Sequence, residues 1–456
     1  MGRTKANLAR PGKIYAQRSG GRVRVHQHVA DYKGKIDFMQ KDLLRLLRDP
    51  NLFPSNNQPL LTYIAYQAAS MNMPCYLVGG VVRDLLLNKP VNDLDIIVEG
   101  DAIKLGDALV KKYGGKLTPH TKFRTAIWHT PSSFNFHPSS LDLITARSET
   151  YEHSGALPTI KPSTIEDDLR RRDFTINAMA VRLDGDHFGE LLDPLNGQSD
   201  LEQKLIRILH PSSFLDDPTR IFRAIRYEQR YGFKIESDTL KLINQESFDI
   251  LSTLSGERIR HEFDLIFAEE DSAKMLFRLN ELGLFDSFNP KLPKLNEKYT
   301  GLLNSKPSEE FGISINRIVL GYLLWLSDSS LELVRSISNR LDFTAELADA
   351  ARGMLQLKNE LPVFADFKPS TWTVRLEKLP LMSLYAVWLI TNETVLRDFL
   401  VKWRHIRANI TGDDLIARGI PPGPRYKEIL TRLRAAWLDG EVENEKEEKE
   451  LLILLL

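Results

Sequence analysis

The stretch from Tyr76 to Val98, YLVGGVVRDLLLNKPVNDLDIIV, constrains the fold of this chain more than any other. Its apolar runs and glycines predict a strand at 76–78, a turn at Gly79 and Gly80, a short helix at 81–87 and a second strand at 94–98. Because side chains alternate between the two faces of a strand, Asp93 and Asp95 point to one face and Leu94, Ile96 and Val98 to the other. The stretch therefore predicts a sheet with an adjacent helix and two carboxylates on one strand face.

These residue types suit a metal and a phosphate. Asp93 and Asp95 offer hard oxygen ligands of the kind Mg²⁺ takes together with a substrate phosphate. Gly79 and Gly80 allow the backbone to approach a phosphate, and the following helix directs its N-terminal N–H groups at the anion. Arg83 adds a cation in the first turn. A lone acidic pair is usually solvated and a lone glycine pair is usually a turn, but their combination favours a metal-nucleotide site.

The strings GGVVRDLLL and NDLDIIVEGD resemble the head domain of class II tRNA nucleotidyltransferases and bacterial poly(A) polymerases, in the DNA polymerase β-like superfamily. The resemblance implies an α+β fold, with a polymerase β-like head built on a mixed sheet and an all-α neck, body and tail. In SLDLITAR, Asp142 lies on a predicted strand and is the candidate for a third metal carboxylate, the alternative being an ordinary strand-edge acid. Residues 146–165 have many helix and strand breakers and predict a mobile loop.

The string RRDFTINA matches the second motif of the same family. Arginine forms bidentate bonds to phosphate, and asparagine can bind a ribose hydroxyl. By resemblance, Arg171, Arg172 and Asn177 should hold the triphosphate and sugar, and Asp173 should orient the arginines or contact the ribose. The segment also predicts helical structure that begins at the arginines.

A further helix is predicted to begin in DDPTRIFRAIRYEQRYGF, with Asp217 as its N-cap and Pro218 at its first position. Asp217 and Arg220, three apart on a helix, would then be neighbours. A carboxylate accepts from an amino group and a guanidinium donates to a ring acceptor, so the pair suits cytosine and adenine and rejects uracil and guanine. This corresponds to the family's protein template, although Asp216 replaces the usual glutamate. Arg223 should contact the nucleotide phosphate or base. In SGERIRHEFDLIF, Glu257 and Arg258 could support the template, the alternative being simple packing.

Composition excludes several classes. The chain has 456 residues with no net charge, so nucleic-acid binding must come from local patches. It has one cysteine, Cys75, which excludes an internal disulfide, and no apolar run long enough to span a membrane. Residues 1–30 contain seven Lys/Arg and no Asp/Glu, which suits a flexible RNA-binding arm or a disordered tail.

The predicted reaction is Mg²⁺-dependent addition of CCA to the 3′ end of tRNA from CTP and ATP, in the cytoplasm. Alternatives are an A-adding enzyme, a poly(A) polymerase and, from another class, an inactive RNA-binding protein. The sequence does not predict the oligomeric state. Arg418, Arg425 and Lys427 are the predicted tRNA contacts. The predicted domains are a basic extension at 1–54, the head at 55–205, a neck at 206–275, a body at 276–400 and a tail at 401–456.

Overall fold

The computed structural model describes residues 43–53, 57–91, 94–132, 139–288, 292–303, 309–362 and 367–456. Asp93 and the basic arm before residue 43 therefore lie outside the described residues. The chain divides into two compact units. The first takes residues up to Glu149 together with 160–198, and the second takes 150–159 together with 199–456.

The first unit is built on a seven-stranded mixed sheet, which confirms the predicted α+β head. Its strands are β1 (Cys75–Val78), β2 (Asp95–Val98), β3 (Lys116–His120), β4 (Thr125–His129), β5 (Ser140–Thr145), β8 (Ala180–Arg182) and β9 (Leu191–Leu192). They lie in the order β3-β4-β5-β2-β1-β8-β9. The pair β2–β5 is parallel and the other pairs are antiparallel.

Strand β2 is apolar on both faces after Asp95, its first residue. Ile96, Ile97 and Val98 of β2 have no exposed surface, as expected for a strand covered on each side. The helices of this unit include α1 (Asn57–Ser70), α2 (Gly80–Leu86), α3 (Ala102–Tyr113) and α4 (Ile165–Arg170). Helix α3 begins after Asp101, whose carboxylate accepts from two backbone N–H groups, and ends at Gly114 with φ 83°.

The predicted mobile loop at 146–165 is wrong in part. Strands β6 (Arg147–Thr150) and β7 (Thr159–Pro162) form a two-stranded sheet. Apolar alternation is missing because β6 consists of polar residues, most of them half-buried, and β7 is mostly exposed. Side-chain partners for Arg147 and Glu149 support them instead.

The second unit is mainly helical, as predicted for the remainder of the chain. Helix α5 (Gly197–Glu202) spans the point where the chain enters it, and β10 (Leu205–Ile206) pairs in parallel with β11 (Lys234–Ile235). The remaining helices are α6 (Ser213–Asp216), α7 (Arg220–Tyr231), α8 (Ser237–Lys241), α9 (Gln245–Thr253), α10 (Gly256–Phe267), α11 (Ser272–Glu281), α12 (Leu284–Phe288), α13 (Thr300–Leu303), α14 (Arg317–Leu326), α15 (Leu331–Arg340), α16 (Ala345–Glu360), α17 (Pro369–Leu376), α18 (Leu381–Thr391), α19 (Thr394–Val401), α20 (Gly412–Ala417), α21 (Pro424–Leu438) and α22 (Glu445–Leu455).

Aromatic side chains fill the contact between α10 and α14. Phe263 stacks on Trp325 with centroids 5.1 Å apart, and Phe267 lies 4.6 Å from Tyr322. Gly321 allows α14 to approach so closely, because a Cβ there would lie 2.2 Å from the Phe267 ring. The contact fixes α10, which carries Arg258.

The C-terminal helices have a small core of their own. Leu415, Leu433 and Leu452 are fully buried in it, and Ile410 and Ile429 are nearly so. The final apolar run of the sequence thus packs α22 against the preceding C-terminal helices through Leu452. None of the described helices combines the length and the apolar character needed to cross a membrane.

Candidate functional site

Two of the predicted carboxylates are side by side in the first unit. Asp95 of β2 and Asp142 of β5 are directly paired residues of the parallel strands. Their neighbours Ile96, Leu141 and Leu143 are buried, so both aspartates lie on the opposite, accessible face. Asp142 is exposed and Asp95 is half-buried.

This pair has the chemistry of a Mg²⁺ site. Mg²⁺ is held by one or two carboxylates and otherwise keeps water and substrate phosphate oxygens. Within the described part of the chain, no group of three His, Cys, Asp or Glu side chains is placed to hold a metal ion. The third predicted carboxylate, Asp93, is not among the described residues. Asp95 and Asp142 fit the cation as two hard oxygen donors.

The glycine turn after β1 allows a guanidinium to approach closely. Gly79 has φ 68°, in the left-handed region, and donates its N–H to the Met179 carbonyl at 3.0 Å. A Cβ at this position would lie only 2.5 Å from Nη1 of Arg172. Gly79 is therefore needed for the observed position of Arg172, because any side chain at residue 79 would collide with the guanidinium. Gly80 begins α2 beside it.

Arg83, Asn177 and Asp173 form a buried chain of hydrogen bonds. Arg83 Nη1 donates to Asn177 Oδ1 at 2.6 Å, and Asn177 Nδ2 donates to Asp173 Oδ1 at 3.0 Å. All three residues are at most 6% exposed. The structure thus brings these predicted nucleotide-binding residues together, in the interior of the unit rather than on its surface.

The arginine motif itself is differently folded than predicted. Helix α4 ends at Arg170, Arg171 is its C-cap, and a single 3₁₀ turn follows at Thr175–Asn177. A continuous helix beginning at the arginines is therefore wrong. The turn is favoured because the Asp173 carboxylate accepts from the Phe174 backbone N–H at 2.8 Å.

Asp168 is a residue that the sequence reasoning missed. Its side chain is completely buried and bonds both motif arginines: Oδ1 accepts from Arg171 Nη2 at 2.8 Å and Oδ2 from Arg172 Nη2 at 3.1 Å. Glu149 accepts from the other side of Arg171, at 3.0 Å from Nη1. The spacing carries a signal, because residues three and four apart on a helix face each other.

In the second unit, the helix with the proposed template begins later than predicted. Helix α7 starts at Arg220 with Thr219 as N-cap, and Asp217 is the C-cap of α6. Asp217 and Arg220 are therefore not on one helix. Asp217 instead forms a turn with Thr219. Asp217 Oδ1 accepts from the Thr219 backbone N–H at 3.1 Å and from the Thr219 hydroxyl at 2.7 Å.

The two template candidates have distinct partners. Arg220 is buried, and its Nη1 donates to Ser213 Oγ at 2.6 Å. Asp217 accepts from Arg258 Nη2 at 3.1 Å, so Arg258 contacts one of the two template candidates. The other nitrogen of Arg258 donates to the Gly155 carbonyl at 2.7 Å.

Gly155 is fixed in turn to the same segment. Its N–H donates to the Leu215 carbonyl at 3.0 Å, and its φ of 74° suits glycine. One arginine thus connects residues 150–159 to the carboxylate of Asp217 within the second unit.

Further charges lie around Arg223, which is half-buried on α7. Burial raises the pKa of the Glu262 carboxyl, against the opposing influence of Arg226 and Arg223. Arg226 Nη1 lies 3.7 Å from Glu262 Oε2.

The predicted tRNA contacts Arg418, Arg425 and Lys427 are exposed, and Arg425 donates to the Leu456 carbonyl at 2.8 Å.

Comparison with known proteins identifies the family. Residues 75–207 match the "Poly A polymerase head domain", and residues 232–295 match the "Probable RNA and SrmB- binding site of polymerase A". An A-adding tRNA nucleotidyltransferase of Halalkalibacterium halodurans is 33% identical over 85% of this chain and 90% of its own length. The chain belongs to the tRNA nucleotidyltransferase and poly(A) polymerase family.

Other members agree in sequence and in fold. An A-adding tRNA nucleotidyltransferase of Geobacter sulfurreducens is 34% identical over 84% of this chain. The chain spans a little under half of that relative's length, 45%. The Thermotoga maritima CCA-adding enzyme complexed with tRNA has a TM-score of 0.68 at 29% identity, covering 90% of this chain and 98% of that one. These findings confirm the resemblance, the fold class and the assignment as a nucleotidyltransferase.

Proposed function

We propose that the chain adds CMP and AMP to the 3′ end of tRNA, taking them from CTP and ATP and releasing pyrophosphate. The observation that carries this proposal is the direct pairing of Asp95 with Asp142 on an accessible sheet face. The tRNA-bound relative and the A-adding relatives support tRNA as the substrate. Both nucleotides present an amino donor beside a ring acceptor, which suits Asp217 and Arg220.

The first unit would perform the chemistry on the phosphates. Asp95 and Asp142, with Asp93, would hold Mg²⁺, which when bound supplies charge neutralisation at the reacting phosphate and a more acidic 3′-hydroxyl. Arg171 and Arg172 would bind triphosphate oxygens, since guanidinium is permanently charged and forms paired N–H···O bonds. Catalysis would rest on positioning and electrostatics.

The second unit would select the base and hold the RNA. Asp217 would accept from the exocyclic amino group and Arg220 would donate to the ring nitrogen. Arg223 would contact the same nucleotide. Exposed Arg418, Arg425 and Lys427 would contact tRNA phosphates, which fixes the position of the RNA without reading its sequence.

A second candidate is addition of the terminal A alone. It is favoured by the identities of 33% and 34% to two A-adding relatives. The same base-reading pair would serve, because adenine and cytosine present the same polarity to it.

One assay separates these candidates. A labelled tRNA that lacks CCA, ends in C or ends in CC is incubated with Mg²⁺ and CTP, ATP or both, and the products are sized to the nucleotide. Addition of C, C and A to the shortest form supports the first candidate. A single A added only to the CC form supports the second. Long A tails would indicate a poly(A) polymerase, and no extension of any form would contradict nucleotidyl transfer and favour an RNA-binding protein.

A further inference from the structure

Five charged side chains around helix α4 form one connected cluster, here named the α4 charge cluster: Arg147, Glu149, Asp168, Arg171 and Arg172. Glu149 joins Arg147 to Arg171, and Asp168 joins Arg171 to Arg172. Three guanidiniums face two carboxylates, so the cluster keeps one positive charge.

The two carboxylates are much less accessible than the arginines they hold. The Asp168 side chain has no exposed surface and that of Glu149 is 7% exposed, whereas Arg171 and Arg172 are 18% and 16% exposed. The carboxylates of Asp168 and Glu149 thus lie deeper in the unit than the guanidiniums of Arg171 and Arg172.

Asp168 is unusually well bonded for a buried charge. It accepts from Arg171 Nε and Nη2 at 2.9 and 2.8 Å, from Arg172 Nε and Nη2 at 3.3 and 3.1 Å, and from the Arg147 N–H at 3.3 Å. A buried carboxylate is tolerated only when its lone pairs are satisfied in this way. The four hydrogen bonds from guanidinium nitrogens also fix the planes of the Arg171 and Arg172 side chains.

The backbone holds the carboxylate itself in place. Helix α4 begins with the Ile165 N–H donating to Glu99 at 2.8 Å, and Thr164 caps it. The Asp168 N–H bonds the Thr164 carbonyl at 3.1 Å. On the far side, Gly79 leaves the space that Arg172 occupies. The guanidiniums therefore have little freedom to rotate.

We propose that Asp168 and Glu149 are positioning residues that orient Arg171 and Arg172 for the triphosphate of the incoming nucleotide. This inference rests on the proposed function. Arginine side chains have several rotatable bonds, and holding them in the bound geometry beforehand lowers the entropy lost when phosphate binds. The surplus positive charge favours an anion as the ligand. Burial and the neighbouring Arg171 lower the pKa of Arg147, which is consistent with that surplus.

The two carboxylates should differ in importance. Asp168 holds both arginines, whereas Glu149 holds only Arg171 of the pair. Neutralising Asp168 as Asp168→Asn also places an amide N–H₂ where an acceptor is needed. Asp168 uses both of its oxygens for the arginines, whereas Arg147 and Arg171 both donate to Oε1 of Glu149. Glu149→Gln can therefore keep that acceptor and should have the smaller effect.

The test measures KM for CTP and for ATP, kcat, and inhibition by pyrophosphate, which carries phosphate but no base, in the full chain. Asp168→Asn should raise both KM values and the pyrophosphate Ki together, by roughly tenfold to a hundredfold, as for the loss of charged hydrogen bonds. Glu149→Gln should raise all three by roughly threefold, since fewer bonds are lost. Rejection of UTP and GTP should not change.

The matched control is Asp184→Asn. Asp184 also makes a two-point pair with an arginine of the same unit, Arg182, at 3.0 Å for both bonds. Its loss should leave KM and the pyrophosphate Ki unchanged.

A purely structural role would lower kcat or the yield of folded protein without changing KM or the pyrophosphate Ki, and that result would overturn the inference. If Asp168→Asn does not fold, unchanged constants in Glu149→Gln would overturn it as well. Arg172→Ala and Arg171→Ala distinguish the proposed triphosphate contact from the positioning role of the carboxylates. If these leave KM unchanged, the proposed triphosphate contact is wrong; if they raise it while the carboxylate variants do not, only the positioning role is wrong.

Discussion

Asp95 and Asp142 face the same side of the sheet from adjacent parallel strands, as directly paired residues. They are 47 positions apart in the chain, and only the β2–β5 pairing brings them together. A single-residue slip of β5 would turn Asp142 into the apolar layer and Leu143 out of it. The buried leucines on either side of Asp142 therefore fix the register that makes a shared cation site possible.

Removing either carboxylate should abolish transfer without abolishing RNA binding. Asp95→Ala and Asp142→Ala should each lower kcat by roughly a thousandfold, since a metal ion supplies several kcal/mol of charge stabilisation. Single-turnover extension of labelled tRNA and a filter-binding Kd measure the two effects. Asp101→Asn is the control, because this residue caps α3 directly after the same strand and Asn preserves the cap. Near-normal turnover of Asp95→Ala would contradict the assignment of Asp95 as a Mg²⁺ ligand.

Arg220 should determine which bases are rejected. Arg220→Ala should reduce discrimination of CTP against UTP by roughly tenfold to a hundredfold, the value of one or two charged hydrogen bonds. The tRNA KM should change little. Competition between labelled CTP and UTP in one reaction measures the ratio directly.

Arg230→Ala is the matched control for that experiment. Arg230 lies on the same helix, α7, and binds Glu269, so the charge removed is the same. Equal loss of selectivity in both variants would mean that the helix, and not the Arg220 side chain, determines base choice.

Elements such as β2, which carries Asp95, and α3 have local signals in the sequence. A continuous apolar run after Asp95 defines β2, and Asp101 and Gly114 mark the ends of α3. The order of these elements, and the resemblance to the family, also predict the mixed sheet. Asp142 could be selected as a candidate because a third metal carboxylate must come from a strand next to the one that carries Asp95.

What the sequence does not predict depends on side chains meeting across the fold. The start of α7 at Arg220 is set by bonds that Asp217 makes to Thr219 and Arg258. The strands β6 and β7 are polar and carry no apolar period. Asp168 has the correct spacing for Arg171 and Arg172, but spacing alone does not show that a carboxylate is fully buried.

Arg258 should influence base selection through Asp217. Lysine has one nitrogen, so Arg258→Lys cannot bond both Asp217 and the Gly155 carbonyl in the same geometry. We expect roughly a threefold to tenfold loss of CTP and ATP selectivity, smaller than for Arg220→Ala, because one supporting charged bond is weakened. Arg260→Lys, two residues along α10 and paired with Asp264, is the control. Selectivity equal to wild type in Arg258→Lys would refute the support role.

Asp328 should contribute stability that depends on pH. Burial opposes ionisation, but hydrogen bonds from Lys358 at 2.8 Å and Asn296 at 3.0 Å lower its pKa to about 2, from an ordinary 3.8. A carboxyl with a lowered folded-state pKa stabilises the fold above its unfolded pKa, and this contribution is lost as pH falls toward the folded one.

Asp328→Asn should therefore lower the free energy of unfolding at pH 7 by about 1 kcal/mol, a value reduced for the exposure of the pair. The difference from wild type should shrink as pH falls from 3.8 toward about 2, the two pKa values of Asp328. Urea unfolding at pH 7, 5, 4 and 3 measures it for each protein. Lys358→Met removes the main donor and should show the same pH dependence. A difference that stays constant across this range would show that the Asp328 charge has no part in the stability of the second unit.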